Sequence, residues 1–231
     1  MNDLSWREID QFFTWANTAG EVKAVILTGA GDKAFIAGAD LNSLAAKKST
    51  DCLNGAAQKA LSKIEQCGKP VIAAVNGFAF GGGCETAIAC DFRVVSENAM
   101  FALPETGLGI LPGAGGTQRL TRLIGLGRAK DVVLLGRKIG GPEAAQIGLA
   151  TKCVPQDQLM AEAQRMADKL LAKGPVAIRI AKQVVQASLS CSQEVGMLSE
   201  MLALSVLCST EDKAEGVGSF LEKRVPEYQG K

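Results

Sequence analysis

The chain of 231 residues is 47% hydrophobic and carries 25 Lys and Arg against 24 Asp and Glu, enough to bury one substantial core as one domain or a domain with an appendage. Its formal net charge of +1 argues against general nucleic-acid binding. It has no histidine, so no Ser-His or Cys-His couple can form, and any acid or base must be a carboxylate, lysine, tyrosine or cysteine.

In residues 6–19, Trp6, Ile9, Phe12, Phe13 and Ala16 recur close to a 3.6 period and predict a helix fading near Gly20. Residues 23–28, KAVILT, read as a buried strand, and Gly29-Ala30-Gly31-Asp32 as a turn. That lone GxG, with no following GK[ST] or GxxG, is weak evidence for a nucleotide loop. Residues 35–40, FIAGAD, lead toward a helix starting at Leu41, for which Asp40 is a natural N-cap. Residues 47–51, KKSTD, look exposed and mobile, and helical spacing returns over residues 54–66 through Ala57, Leu61 and Ile64.

The centre of the chain is residues 69–111. Val71-Ile72-Ala73-Ala74-Val75 is a short β-branched apolar run bounded by Pro70 and Asn76-Gly77, the pattern of a strand buried on both faces. Gly81-Gly82-Gly83 follows, and then small residues suited to a helix over 84–90. The first amides of a helix lack intrahelical partners and lie at its positive end, where a carbonyl oxygen gaining charge is held best. Glu85 falls in that first turn, and Glu105 follows Pro104 beyond the next apolar stretch. Taken singly, these are a tight corner, a first-turn glutamate and a loop residue. Together they suggest proton transfer beside a stabilised enolate.

Leu111-Pro112-Gly113-Ala114-Gly115-Gly116-Thr117 is a second glycine-rich turn before a helix over 118–124; it lacks the lysine a phosphate cradle needs. Short helices are predicted at 129–135 and 142–147, stopped by Gly136 and Gly148. Beyond Pro155 the pattern becomes long and helical: Ala163, Met166, Ala167 and Leu170; Ala177, Ile180, Ala181 and Val184; Val195, Leu198 and Leu202. The division is therefore 1–155 for the core and 156–231 for a C-terminal helical region, whose faces cover the core or another subunit. A last helix is capped by residues 209–212, STED. The seven cysteines lack CxxC spacing and read as free thiols in a reducing, intracellular setting, bacterial cytoplasm or organelle matrix. Without histidine a zinc site is further weakened, no apolar run reaches bilayer length, and the start is not a signal peptide.

Residues 34–41 (AFIAGADL), 70–91 and 101–120 resemble the enoyl-CoA hydratase family of the crotonase superfamily, and the likeness runs from about Val22 to the C-terminus. The resemblance implies an α/β fold, a spiral of repeated ββα units with a C-terminal helical oligomerisation region that builds homotrimers pairing into homohexamers. It implies an acyl-CoA thioester substrate and no cofactor other than the CoA that is part of it. The amides of Ala39 and Gly82 would form the oxyanion hole, with Glu85 as base and Glu105 as acid in hydration. Ala37, Asp40 and Gly113 would line the substrate site, and Phe220 and Lys223 would reach CoA from a neighbouring subunit. Isomerases of the family keep one of the two carboxylates and dehalogenase-like members need a histidine, so a hydratase leads over an isomerase. The alternatives are a catalytically weak CoA-binding or structural homologue and, from another class, a nucleotide-binding protein. Family members begin with a strand and an Asn-Arg-Pro-like stretch ahead of the first helix; here Met1 follows that point, which predicts the loss of a sheet edge and part of the CoA site.

Overall fold

A computed structural model describes residues 1–231. Its centre is β3 (Val71–Val75), in which all five side chains are buried. Alternation sends Val71, Ala73 and Val75 into the main hydrophobic cluster, whereas Ile72 and Ala74 join a second one with Val94, Val154, Leu159, Ala163 and Ala167. A strand covered on both faces reads as a continuous apolar run.

Around it, β1 (Val25–Thr28), β3, β5 (Phe92–Ser96) and β8 (Lys152–Val154) form one parallel sheet in the order β1-β3-β5-β8. A second sheet has the order β2-β4-β6-β7, from β2 (Ala34–Ile36), β4 (Phe78–Phe80), β6 (Met100–Ala102) and the antiparallel β7 (Ile139–Gly140). Each turn of the chain thus gives one strand to each sheet and then a helix. β1 and β2 precede α2 (Leu41–Ala46), β3 and β4 precede α5 (Gly82–Ala89), and β5 and β6 precede a 3₁₀ turn (Glu105–Leu108) and α6 (Gly116–Ile124). These are the repeated ββα units that the resemblance implies. The Gly29–Gly31 turn is closed by Asn76, whose Nδ2 donates to Gly29 O at 3.1 Å and Gly31 O at 2.7 Å. It leads into β2 and not into a helix.

α1 (Asp3–Thr18) begins ahead of Trp6 because Asn2 caps it, accepting from Ser5 N at 3.0 Å, and it packs on α4 (Ala56–Glu65). Part of the stretch expected to be mobile is instead helical: in α3 (Ser49–Leu53) the Asp51 carboxylate accepts from Lys48 N at 2.9 Å and closes an exposed turn. Met1 lies across residues 38–40, with its carbonyl accepting from Asp40 N at 2.9 Å and its amine donating to Gly38 O.

Between α6 and β7 lies α7 (Leu126–Leu134), and α8 (Gly141–Gln146) links β7 to β8. Beyond β8, α9 (Leu159–Leu171) covers β1, β3 and β5 through Leu159, Ala163 and Ala167. α10 (Pro175–Ala187) is tied to the core by Lys182, 2.8 Å from Asp91 Oδ2. α11 (Gln193–Cys208) buries none of its side chains, and α12 (Glu211–Glu222) ends the helical region. No helix is long and apolar enough to cross a membrane.

Candidate active site

Gly81 turns β4 into α5 at φ 52°, ψ −122°, a conformation that L side chains rarely adopt. Two residues on, a Cβ at Gly83 would stand 2.0 Å from Ile36 O, so the first turn of α5 lies against β2 backbone to backbone. These contacts bring residues 36–40 to the N-terminal end of α5. Gly82 is the first residue of that helix, and its N–H belongs to the unpaired set at a helix start. In the facing loop the Asp40 N–H donates to Met1 O, whereas the Ala39 N–H donates to no protein group.

Glu85 is 3% exposed, and its Oε1 accepts from Ala114 N at 2.7 Å and Gly116 N at 2.8 Å. The second glycine-rich turn is therefore an anion cradle at the start of α6, and the anion it holds is the protein's own carboxylate. Burial pushes the Glu85 carboxyl above its usual range, against the opposing pull of the two N–H groups and of the nearby Arg119 cation. Glu105 begins the 3₁₀ turn, and its Oε1 reaches to 2.8 Å from where a Gly81 Cβ would be. Burial raises its carboxyl to about 7, and the neighbouring Glu85 charge adds in the same direction. Glu105 Oε2 is buried with no partner. Glu105 thus stands beside Gly81, the N-cap of α5, and Glu85 lies in the first turn of the same helix, so both carboxylates belong to one helix end. The adjoining buried Cys84 thiol is pushed up by burial and then by both carboxylate charges.

A model of the family "Enoyl-CoA hydratase/isomerase" matches residues 1–231. The chain belongs to the enoyl-CoA hydratase/isomerase family. It is 42% identical over 229 residues to the short-chain-enoyl-CoA hydratase of Clostridium acetobutylicum, covering 97% of this chain and 87% of that protein. It is also 42% identical to the crotonyl-CoA hydratase of Syntrophomonas wolfei, covering 100% of this chain and 90% of the other. The crystal structure of an enoyl-CoA hydratase from Bacillus anthracis superposes with a TM-score of 0.95 at 41% identity, over 100% of this chain and 90% of that one.

The remaining residues that the likeness to enoyl-CoA hydratases singled out fall in two places. Ala37 and Asp40 are exposed on the loop beside Ala39, and Asp40 caps α2, accepting from Ser43 N at 2.7 Å. That bond holds its carboxyl below the ordinary value. Gly113 is exposed just before the turn that binds Glu85. Phe220 and Lys223 lie apart from these, exposed at the C-terminal end of α12, where Lys223 takes the left-handed cap at φ 57°. No hydrogen bond ties either side chain to the loops bearing Glu85 and Glu105. Sequence reasoning missed the cradle of Ala114 and Gly116 and the arginine behind it. The available signal was a glycine-rich turn that opens a helix yet lacks the lysine of a phosphate cradle.

Proposed function

We propose that this family member adds water reversibly, on one face, across the double bond of a 2-enoyl-CoA to give a 3-hydroxyacyl-CoA. The observation that carries the reading is the convergence of two carboxylates with different environments at the N-terminal end of α5. The thioester oxygen sits between the N–H groups of Ala39 and Gly82, where the charge that moves onto it is stabilised; one such donor lowers the barrier by on the order of 3 kcal/mol. Glu85, kept in place as an acceptor by two amides, removes a proton from water as its oxygen bonds to Cβ. Glu105, whose carboxyl lies at about 7 and is thus substantially protonated at neutral pH, delivers a proton to Cα. The two groups interact, so they titrate as a pair. Ala37, Asp40 and Gly113 border the acyl-CoA, and the only CoA in this scheme is the substrate's own. The names of the two relatives favour a short acyl chain.

Crotonyl-CoA is the test substrate: its enoyl absorbance should fall as 3-hydroxybutyryl-CoA accumulates. Movement of the double bond without water uptake would instead make the chain an isomerase, and CoA binding without turnover would make it a binding homologue.

Trimers that pair into hexamers belong to the same reading. In their support, α11 exposes Val195, Leu198, Met201, Leu202 and Val206 along one broad face, and an apolar face of that extent needs cover. Phe220 and Lys223 would then meet CoA bound to a neighbour. Sedimentation should give three or six times the 24.1 kDa chain mass; a monomer at micromolar concentration would refute the assembly. Seven unpaired cysteines suit a reducing compartment.

A further inference from the structure

Arg119 on α6, beside the turn that binds Glu85, makes two side-chain hydrogen bonds. Its Nη1 donates to Ala114 O at 2.8 Å, while the N–H of the same residue donates to Glu85. Ala114 is thereby gripped at both polar atoms. Its Nη2 donates to Glu65 Oε2 on α4 at 2.8 Å, and Glu65 Oε1 in turn accepts from Gln186 Nε2 on α10 at 2.6 Å. The guanidinium lies directly on the turn, because a Cβ at Gly115 would stand 2.3 Å from Nη1. The side chain is 14% exposed and its Nε is buried without a partner, a cost that a purely solubilising arginine would not bear.

We propose that Arg119 is a positioning residue for the hydration reaction, holding the turn at residues 114–116 so that Glu85 faces the substrate, and that Glu65 and Gln186 extend this hold to the C-terminal helical region. The proposal rests on the hydratase reading and names a further residue for it. Arg119 touches neither substrate nor the reacting atoms; it acts through the turn and through its charge. The titratable and charged groups set around Glu85 are Arg119 from α6, which grips the turn that binds it, Glu105 from the 3₁₀ turn, beside Gly81 at the same helix end, and the adjoining Cys84 thiol on α5, with Glu65 behind the arginine. Without the Arg119 cation, the charged neighbour left to Glu85 in that set is another carboxylate. Its proton is then lost at higher pH, and the acid limb of kcat/KM moves up.

The test measures crotonyl-CoA hydration across the pH range and thermal unfolding for the full chain and for Arg119→Met, Arg119→Lys, Gln186→Leu and Lys182→Met. Arg119→Met should lower kcat about 10- to 100-fold with little change in KM, since a displaced base costs that much. It should also raise the acid limb by about half a pH unit or more. Arg119→Lys keeps the cation without the two-pronged grip, so its acid limb should return toward the parent's while kcat stays low. Gln186→Leu should lower kcat by a few-fold without moving the limb. Lys182→Met cuts another tie between α10 and the core, through Asp91. It should lower the unfolding temperature and leave both the limb and kcat unchanged.

An Arg119→Met enzyme with kcat within about twofold of the parent and an unmoved limb overturns the proposal. If that variant does not fold, parental kcat in Arg119→Lys overturns it equally. A limb moved as far by Lys182→Met would reduce Arg119 to a stabilising residue. Absence of turnover in the unsubstituted chain strikes instead at the hydratase reading.

Discussion

Glu105→Gln should abolish most hydration and at the same time make the protein more stable at neutral and alkaline pH. The amide keeps the shape of the side chain but has no proton to give Cα at any useful pH, and loss of a positioned acid costs about 10³-fold in kcat. The stability effect has the opposite sign. The Glu105 carboxyl sits at about 7 in the folded protein against an ordinary 4.5, so between those values the folded state binds more protons than the unfolded chain. Stability from this group is complete below pH 4.5 and falls as pH rises toward 7, leaving a penalty above it. Glutamine carries no such penalty. Glu105 is only half-buried, and solvent screening trims the gain to about 1 kcal/mol, or roughly 2–4 °C in Tm for a chain of this size. Melting curves of both proteins at pH 4 and pH 8 measure it: the variant should melt higher at pH 8 and level with the parent at pH 4. A difference that does not change with pH would mean that burial does not hold the carboxyl up, and Glu105 would lose its claim to be the acid.

That opposition between activity and stability also explains which parts of the molecule the amino-acid pattern announced. β3 was legible because a strand buried on both faces must be apolar at every position. α4 and α9 were legible because each turns one face to the core and repeats near 3.6. The second sheet was not readable from residue pattern, since β2, β4 and β6 are three residues long, too short to show an alternation. It entered only through the likeness of whole segments to a family. Within the site, Glu85 and Glu105 stood out as acids beside glycine turns. The partners of Glu85 did not, because backbone N–H groups belong to every residue and their convergence on Oε1 is a property of how the turn at 114–116 folds. Arg119 was equally silent: an arginine five residues past its carbonyl partner looks like any solvated helix residue until Glu65 is folded against it.

Substitution of Glu85 should separate the chemistry of this carboxylate from its place in the structure. Glu85→Gln and Glu85→Ala both remove the base, and hydration should fall about 10³-fold in each. Their stabilities should diverge. Both structural bonds to Glu85 end on the same atom, Oε1. A glutamine that keeps its carbonyl oxygen there accepts from Ala114 and Gly116 as before, and it does so without a buried carboxyl that burial has already pushed up. Its Tm should equal or slightly exceed the parent's. Alanine leaves both N–H groups inside the protein with no acceptor, in a turn where Ala114 is 2% exposed. An unsatisfied buried donor costs about 1–3 kcal/mol, and even if water entering the vacated space recovers half, the pair loses about 2 kcal/mol. The corresponding fall in Tm is roughly 4–8 °C. Paired melting curves and crotonyl-CoA assays of the two variants decide the matter. Equal stabilities would show that the turn at 114–116 does not depend on Glu85, and appreciable turnover by Glu85→Gln would remove this residue from the proton transfer.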